Sequence, residues 1–96
     1  MSVAERFSAN LLAARTATGL SQEEVGFRAG LHRTEVSQLE RGPRVPRIDT
    51  LAKLCAALGV EAAVLMAGIR WKPPAVMGGG FEEGINQTHP KPSEAR

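Results

Sequence analysis

The sequence "SQEEVGFRAGLHRTEVSQLERG", residues 21–42, contains two helix-like patterns with a glycine between them. Ser21 stands where an N-cap belongs, and Glu24 completes a capping box, which predicts a helix over 22–29. After Gly30 and Leu31, the pattern predicts a second helix that begins at 32 or 33 and ends at about 41. Two helices joined by a short turn that contains glycine form a helix-turn-helix, and the second helix of such a pair can lie in the major groove of DNA.

The outer side of the second predicted helix is polar. Four residues at positions i, i+1, i+4 and i+5 share this side, and they are Arg33, Thr34, Ser37 and Gln38. Arginine can pair with guanine, glutamine can pair with adenine, and the hydroxyl groups can donate, accept or contact a thymine methyl group. We therefore predict that these four residues read base edges. The alternative is an ordinary solvated helix face, which more often carries lysine and glutamate.

The rest of the chain extends this helical pattern. Its 96 residues suffice for one domain, and a composition rich in alanine and aliphatic residues but poor in aromatic ones favours helices over strands. Further helices are predicted over 3–17, 47–58 and 61–67, so the expected fold class is all-α, a compact five-helix bundle. Along the fourth helix, the apolar spacing predicts a wall that faces the core, made of Ile48, Leu51, Leu54, Cys55 and Leu58.

The composition changes at Lys72, where proline and glycine become frequent. Segments of this kind bury too little apolar surface to offset the entropy of ordering. We therefore expect a helix-turn-helix domain over 1–71 and a flexible tail rich in proline and glycine over 72–96. Trp71 lies at the boundary, where it is expected to be a lid on the core or a dimer contact.

Positive charge is concentrated around the second helix of the pair. The net charge of the chain is only +2, but residues 28–47 hold five arginines against two glutamates. The guanidinium group presents a planar fork of donors that suits phosphate and guanine edges. Arg44 and Arg47 lie in the loop "GPRVPR", which its prolines keep extended, and we predict that both contact phosphate. A merely solvated basic face is the alternative.

Several classes of protein are excluded by what the sequence lacks. It contains no Gly-rich phosphate loop, no metal-ligand cluster and no Ser, His and Asp set outside the helical motif, so we expect no catalytic residues, no metal and no cofactor. His32 is interpreted as a helix cap or a phosphate neighbour.

The single cysteine fits a reducing compartment, and no apolar run approaches the ~20 residues of a membrane span, so a cytoplasmic protein is expected.

The motifs "GLSQEEVGFRAGLHRTEVSQLERG" and "PRIDTLAKLCAALGV" resemble the Cro/CI-type helix-turn-helix regulators, also called the XRE family. The resemblance runs from about residue 11 to residue 68 and is specific, because the turn, the "SQLERG" end and the following helix occur together at family spacing. It implies a five-helix, lambda-repressor-like domain that commonly binds palindromic operators in double-stranded DNA as a homodimer.

The resemblance also implies roles for individual residues. Gln22 becomes a phosphate contact at the start of the second helix, and Arg41 and Arg44 flank the DNA backbone. Arg15 and Glu40 become a structural ion pair that ties the first helix to the third. The base-reading positions are the same four that the polar face predicts: Arg33, Thr34, Ser37 and Gln38.

Three positions depart from the family pattern. Gly26 replaces the usual alanine, at a cost of up to ~1 kcal/mol in helix propensity. Phe27 stands where a polar residue is usual, so it is either a partner contact or partly covered by a neighbouring segment. Arg47 occupies the usual Ser or Thr cap of the fourth helix and weakens that start.

A second function remains open from the sequence. The chain could be a protein-binding module, such as the antitoxin of a toxin pair, whose tail from Lys72 wraps a protein partner. The two functions are compatible, because antitoxins of this family also bind their own promoters.

Overall fold

A computed structural model describes residues 1–75 and 79–82. Its five helices are α1 (Val3–Thr18), α2 (Gln22–Ala29), α3 (Arg33–Arg41), α4 (Ile48–Leu58) and α5 (Ala62–Leu65). The predicted five-helix architecture is confirmed, although α5 is a single turn rather than the longer segment over 61–67. Within the described part of the chain, no helix is both long and apolar enough to cross a membrane.

The helix termini follow the local signals in the sequence. Ser21 and Glu24 form the predicted capping box, in which the Glu24 amide donates to Ser21 Oγ at 3.0 Å and the Ser21 amide donates to Glu24 Oε1 at 2.8 Å. Ser2 and Glu5 form the same motif at the start of α1. Gly30 ends α2 with a φ of 71°, a left-handed conformation that glycine adopts without a steric penalty.

The core lies where α1, α2 and α3 meet α4 and α5. Every helix contributes at least one fully buried side chain to it, and the largest of these are Phe7, Leu11, Val25, Val36, Leu39, Leu54 and Leu65. Since α3 buries Val36 and Leu39, its opposite side is left free for other contacts.

One part of the predicted core is wrong. The helical spacing predicts Ile48 on the apolar wall of α4, but its side chain is 83% exposed. It is the first residue of α4, one turn before Leu51, which packs against the core, so the apolar stripe extends past the end of the bundle. Cys55 is half-buried against the core, and burial raises the pKa of its thiol.

A short antiparallel ribbon follows the helices, which the sequence did not predict. Its strands are β1 (Trp71–Lys72) and β2 (Gly80–Phe81), and Trp71 is paired with Phe81. The two rings meet edge to face with centroids 5.5 Å apart, and the residues are 54% and 53% exposed. Trp71 is therefore not a lid on the core. The rest of the predicted flexible tail, residues 76–78 and 83–96, lies outside the described residues.

Candidate nucleic-acid interface

The turn between α2 and α3 is fixed by backbone hydrogen bonds and a side-chain cap. The Leu31 amide donates to the Gly26 carbonyl oxygen at 2.8 Å. His32 is the N-cap of α3, and its Nδ1 accepts from the Thr34 amide at 3.1 Å. The imidazole therefore takes the capping role that Ser or Asp has at other helix starts. Of the two interpretations of His32, the structure shows the helix cap.

Gly26 allows α2 to approach this turn closely. A Cβ atom added at Gly26 would lie 2.7 Å from the Leu31 carbonyl oxygen and 3.3 Å from the Arg33 amide nitrogen. Both neighbours are backbone atoms, so neither can turn aside as a flexible side chain could. The glycine is thus required by the packing at the start of α3, which outweighs the lower helix propensity that the sequence indicates.

Arg15 and Glu40 are brought together across the interior of the domain. Arg15 Nε lies 2.5 Å from Glu40 Oε2, and Arg15 Nη2 donates to Oε1 at 2.9 Å. Their side chains are 18% and 5% exposed. Hydrogen bonding to Glu40 raises the pKa of the Arg15 guanidinium, and a third nitrogen of that group donates to the Leu20 carbonyl oxygen at 2.9 Å. The pair ties α1 to the inner side of α3.

Gln22 joins this pair rather than standing alone at the start of α2. Its Nε2 donates to Glu40 Oε1 at 2.9 Å, so one carboxylate of α3 accepts from both α1 and α2. The amide keeps a second N–H group and its carbonyl oxygen for other partners. The phosphate contact implied for Gln22 stays a prediction.

The four candidate base-reading residues lie together on the outer side of α3. Arg33 and Thr34 are exposed, while Ser37 and Gln38 are half-buried. Two of the candidate phosphate contacts bind them directly. Arg41 Nη1 donates to Ser37 Oγ at 2.8 Å, and Arg44 Nη1 donates to Gln38 Oε1 at 3.0 Å.

Sequence reasoning missed both of these bonds. The bond between Ser37 and Arg41 could have been found, because the two residues are four apart on one helix. The bond from Arg44 could not, since it depends on how the loop after α3 folds back.

Arg47 lies at the far end of the same loop. Its Nε is 3.5 Å from Asp49 Oδ1, and the two side chains are 85% and 55% exposed. Solvent screens a pair as exposed as this one. Arg47 makes no side-chain cap to α4, as the missing Ser or Thr predicts.

Phe27 is 88% exposed, so the described residues do not cover it. It borders an open groove together with Glu23, Leu31, His32 and Arg33. Among residues 1–75 and 79–82, no group of three His, Cys, Asp or Glu side chains is placed to hold a metal ion.

The helix-turn-helix family model matches residues 11–65, which includes the turn and both of its helices. This chain belongs to the helix-turn-helix family. The resemblance to Cro/CI-type regulators is thereby confirmed, and the protein is a DNA-binding transcriptional regulator of the helix-turn-helix type.

Two relatives of this helix-turn-helix protein are similar in sequence. It is 39% identical over 66 residues to the uncharacterized HTH-type transcriptional regulator y4dJ of Sinorhizobium fredii, a match that covers 69% of this chain and 86% of the relative. It is 41% identical over 49 residues to the control protein C.BamHI of Bacillus amyloliquefaciens. That match covers 51% of this chain and spans 60% of the relative's length.

A solved structure is similar as well. The restriction-modification controller protein C.AhdI from Aeromonas hydrophila superimposes with a TM-score of 0.63 at 40% sequence identity, covering 65% of this chain and 90% of the other. These relatives are regulators and controller proteins rather than enzymes, in agreement with the expectation that this helix-turn-helix protein is not an enzyme.

Proposed function

We propose that the protein binds a specific operator in double-stranded DNA by placing α3 in the major groove. One observation carries the proposal: α3 buries Val36 and Leu39 in the core and presents a contiguous polar surface on its other side. That surface, here called the reading face, consists of Arg33, Thr34, Ser37 and Gln38. All four side chains are of types that can recognise base edges.

The surrounding residues support a backbone role. Arg41, Arg44 and Arg47 follow the reading face along the chain and supply positive charge on the last turn of α3 and the loop after it. Gln22 stands at the start of α2, where backbone amides and the helix dipole favour an anion. We assign phosphate contacts to these four residues, which would position α3 without reading sequence.

We further propose that the protein works as a homodimer on a palindromic operator. One helix contacts too few base pairs for useful specificity, whereas two copies can read half-sites about 34 Å apart, one turn of duplex. The short α5 exposes part of Val64, and Met66 and Trp71 follow it with exposed apolar surface. This region is the candidate dimer surface. A protein that acts on DNA in this way is expected in the cytoplasm.

The experiment that tests this function is selection of bound sites from random DNA, followed by binding to the selected and scrambled duplexes. The wild-type protein should prefer the selected duplex, and Arg33→Ala should reduce that preference. Lys53→Ala is the matched control, because it removes an exposed cation from α4 rather than from the reading face. Equal binding of the wild type to selected and scrambled duplexes would reject the proposal.

The antitoxin-like alternative draws support from the exposed pair of Trp71 and Phe81. Aromatic residues, Trp and Phe among them, are enriched in protein interfaces. A pulldown with and without residues 72–96 distinguishes the two functions, because DNA binding should survive loss of the tail and binding of a protein partner should not.

A further inference from the structure

Arg44 reaches back from the loop after α3 to the reading face. Its Nη1 lies 3.0 Å from Gln38 Oε1. A guanidinium group has only donors, so the atom of the glutamine amide that faces it must be the oxygen. The orientation of the Gln38 amide is therefore fixed by chemistry: the oxygen points toward Arg44, and the two N–H groups of Nε2 occupy the other end.

This orientation conflicts with the usual pairing of glutamine. To recognise adenine, a glutamine accepts from the N6 amino group with Oε1 and donates to N7 with Nε2. Gln38 Oε1 keeps a second lone pair beside its bond to Arg44. An adenine amino group that used this lone pair would bring its partly positive hydrogens against the guanidinium charge. Guanine presents two acceptors, N7 and O6, in the same groove. The two N–H groups of Gln38 Nε2 can donate to these acceptors.

We infer that Arg44 biases Gln38 toward donating hydrogen bonds to the base, so that Gln38 selects guanine instead of adenine. The inference rests on the proposed function, because it requires α3 to enter the major groove. Arg44 acts here as a positioning and specificity-determining residue, beyond the phosphate contact assigned to it.

A second hydrogen bond on the reading face also runs from an arginine donor to a side-chain oxygen. Ser37 Oγ accepts from Arg41 Nη1 at 2.8 Å, which leaves the hydroxyl hydrogen to donate outward. Arg33 is a donor in any orientation. Three of the four residues on the reading face thus present donors, and guanine is the base whose major-groove edge offers two acceptors and no donor.

The test measures the DNA affinity of full-length protein variants. The DNA series is the selected operator in which each position in turn carries each of the four base pairs. Gln38→Ala identifies the position that Gln38 reads, as the one where discrimination is lost. The wild type should prefer guanine there by about 5- to 150-fold. In Arg44→Ala, the preference at this position should move to adenine, because the freed amide can pair in the usual way.

Three further variants separate positioning from loss of charge. Arg44→Lys keeps a cationic donor and should retain the guanine preference. Arg47→Ala removes the same charge from the same loop and should weaken all duplexes without changing the preferred base. In the Gln38→Ala background, Arg44→Ala should leave the base preference unchanged.

Two results would overturn the inference while leaving the proposed function intact. One is specific binding in which the wild type prefers adenine at the position that Gln38 reads. The other is an Arg44→Ala variant that keeps the guanine preference. Loss of all sequence preference in the wild type would instead reject the proposed function and the inference together.

Discussion

Glu40 of α3 accepts two hydrogen bonds from the Arg15 guanidinium of α1, at 2.5 and 2.9 Å, and its side chain is only 5% exposed. The Gln22 amide adds a third bond from α2. One carboxylate thus joins three helices at the inner side of α3.

We expect Glu40→Ala to destabilise the fold by about 3 to 5 kcal/mol, because it leaves the Arg15 charge and the Gln22 amide without their acceptor. Urea unfolding followed by circular dichroism measures the change. Glu40→Gln keeps an acceptor oxygen but removes the charge, so its loss should be smaller. A midpoint for Glu40→Ala within error of the wild type would show that the pair contributes nothing.

The packing at Gly26 predicts that Gly26→Ala is destabilising, although alanine is the better helix former by ~1 kcal/mol. The added methyl group would lie 2.7 Å from the Leu31 carbonyl oxygen, and overpacking of this kind costs about 1 to 3 kcal/mol. Thermal unfolding should show a lower Tm. The control is Thr16→Ala, which raises helix propensity at an exposed position of α1. A higher Tm for Gly26→Ala would mean that the turn relaxes freely.

The capping box of α2 predicts a dependence of stability on pH. Hydrogen bonds from the Ser21 backbone and side chain lower the pKa of Glu24 below its usual value of 4.5. The pKa of Glu24 is thus lower in the folded protein than in the unfolded chain, so the ionised carboxylate stabilises the fold at pH values above the unfolded-state pKa. This stabilisation is lost as the pH falls through the folded-state pKa.

An NMR titration of the Glu24 carboxyl group measures this shift. Ser21→Ala removes the hydroxyl group but keeps the backbone amide, which is the larger of the two causes. The pKa of Glu24 should therefore rise only part of the way toward its usual value, and stability should fall less steeply as the pH drops below 4.5. Glu23→Gln serves as the control, since it removes the neighbouring carboxylate without changing the capping box. An unchanged Glu24 pKa in Ser21→Ala would contradict the contribution assigned to the Ser21 side chain.

Reading and positioning should separate in binding experiments at several salt concentrations. Arg33→Ala should weaken the preferred duplex by about 1 to 3 kcal/mol with little effect on scrambled DNA. Arg47→Ala should weaken both duplexes alike and lower the salt slope by about one unit for each phosphate that the protein no longer neutralises. If the two variants behave identically on both duplexes, α3 does not read sequence and the protein-binding alternative gains support.

The candidate dimer surface predicts that Val64→Asp produces a monomer, because a charge would be placed on the exposed apolar side of α5. Sedimentation of the wild type should give a dimer. Ile48→Asp places the same charge on an exposed aliphatic residue of α4 and should leave the dimer intact. A wild type that sediments as a monomer both with and without DNA would refute the homodimer.

Local signals in the sequence predicted the parts of the structure that depend on neighbouring residues. Ser21, Glu24 and Gly30 define α2 because caps and left-handed glycines act within a few residues. The ribbon was missed because pairing of Trp71 with Phe81 joins residues across a segment rich in proline and glycine. Composition alone does not reveal that pairing.

The candidate site was predicted as a set of residues but not as a set of hydrogen bonds. The sequence spacing of the four reading-face residues predicted that they share one side of α3, because that placement follows from helix geometry. The bond between Arg44 and Gln38 depends on the path of a loop, and the constraint at Gly26 depends on the distance between two backbones. Neither distance is encoded in a pattern of residue types.

The separation between the two sides of α3 bears on how such a protein can change its target. Arg15 and Gln22 hold the inner side through Glu40, while the arginine partners of Ser37 and Gln38 come from α3 itself and the loop that follows it. Substitutions on the outer side therefore exchange partners only among themselves and leave the anchoring of the helix untouched. On the proposed function, a new operator would be acquired by replacing a base-reading residue together with its arginine partner. Pairs such as 38 and 44 are then the units in which a library for retargeting should be varied.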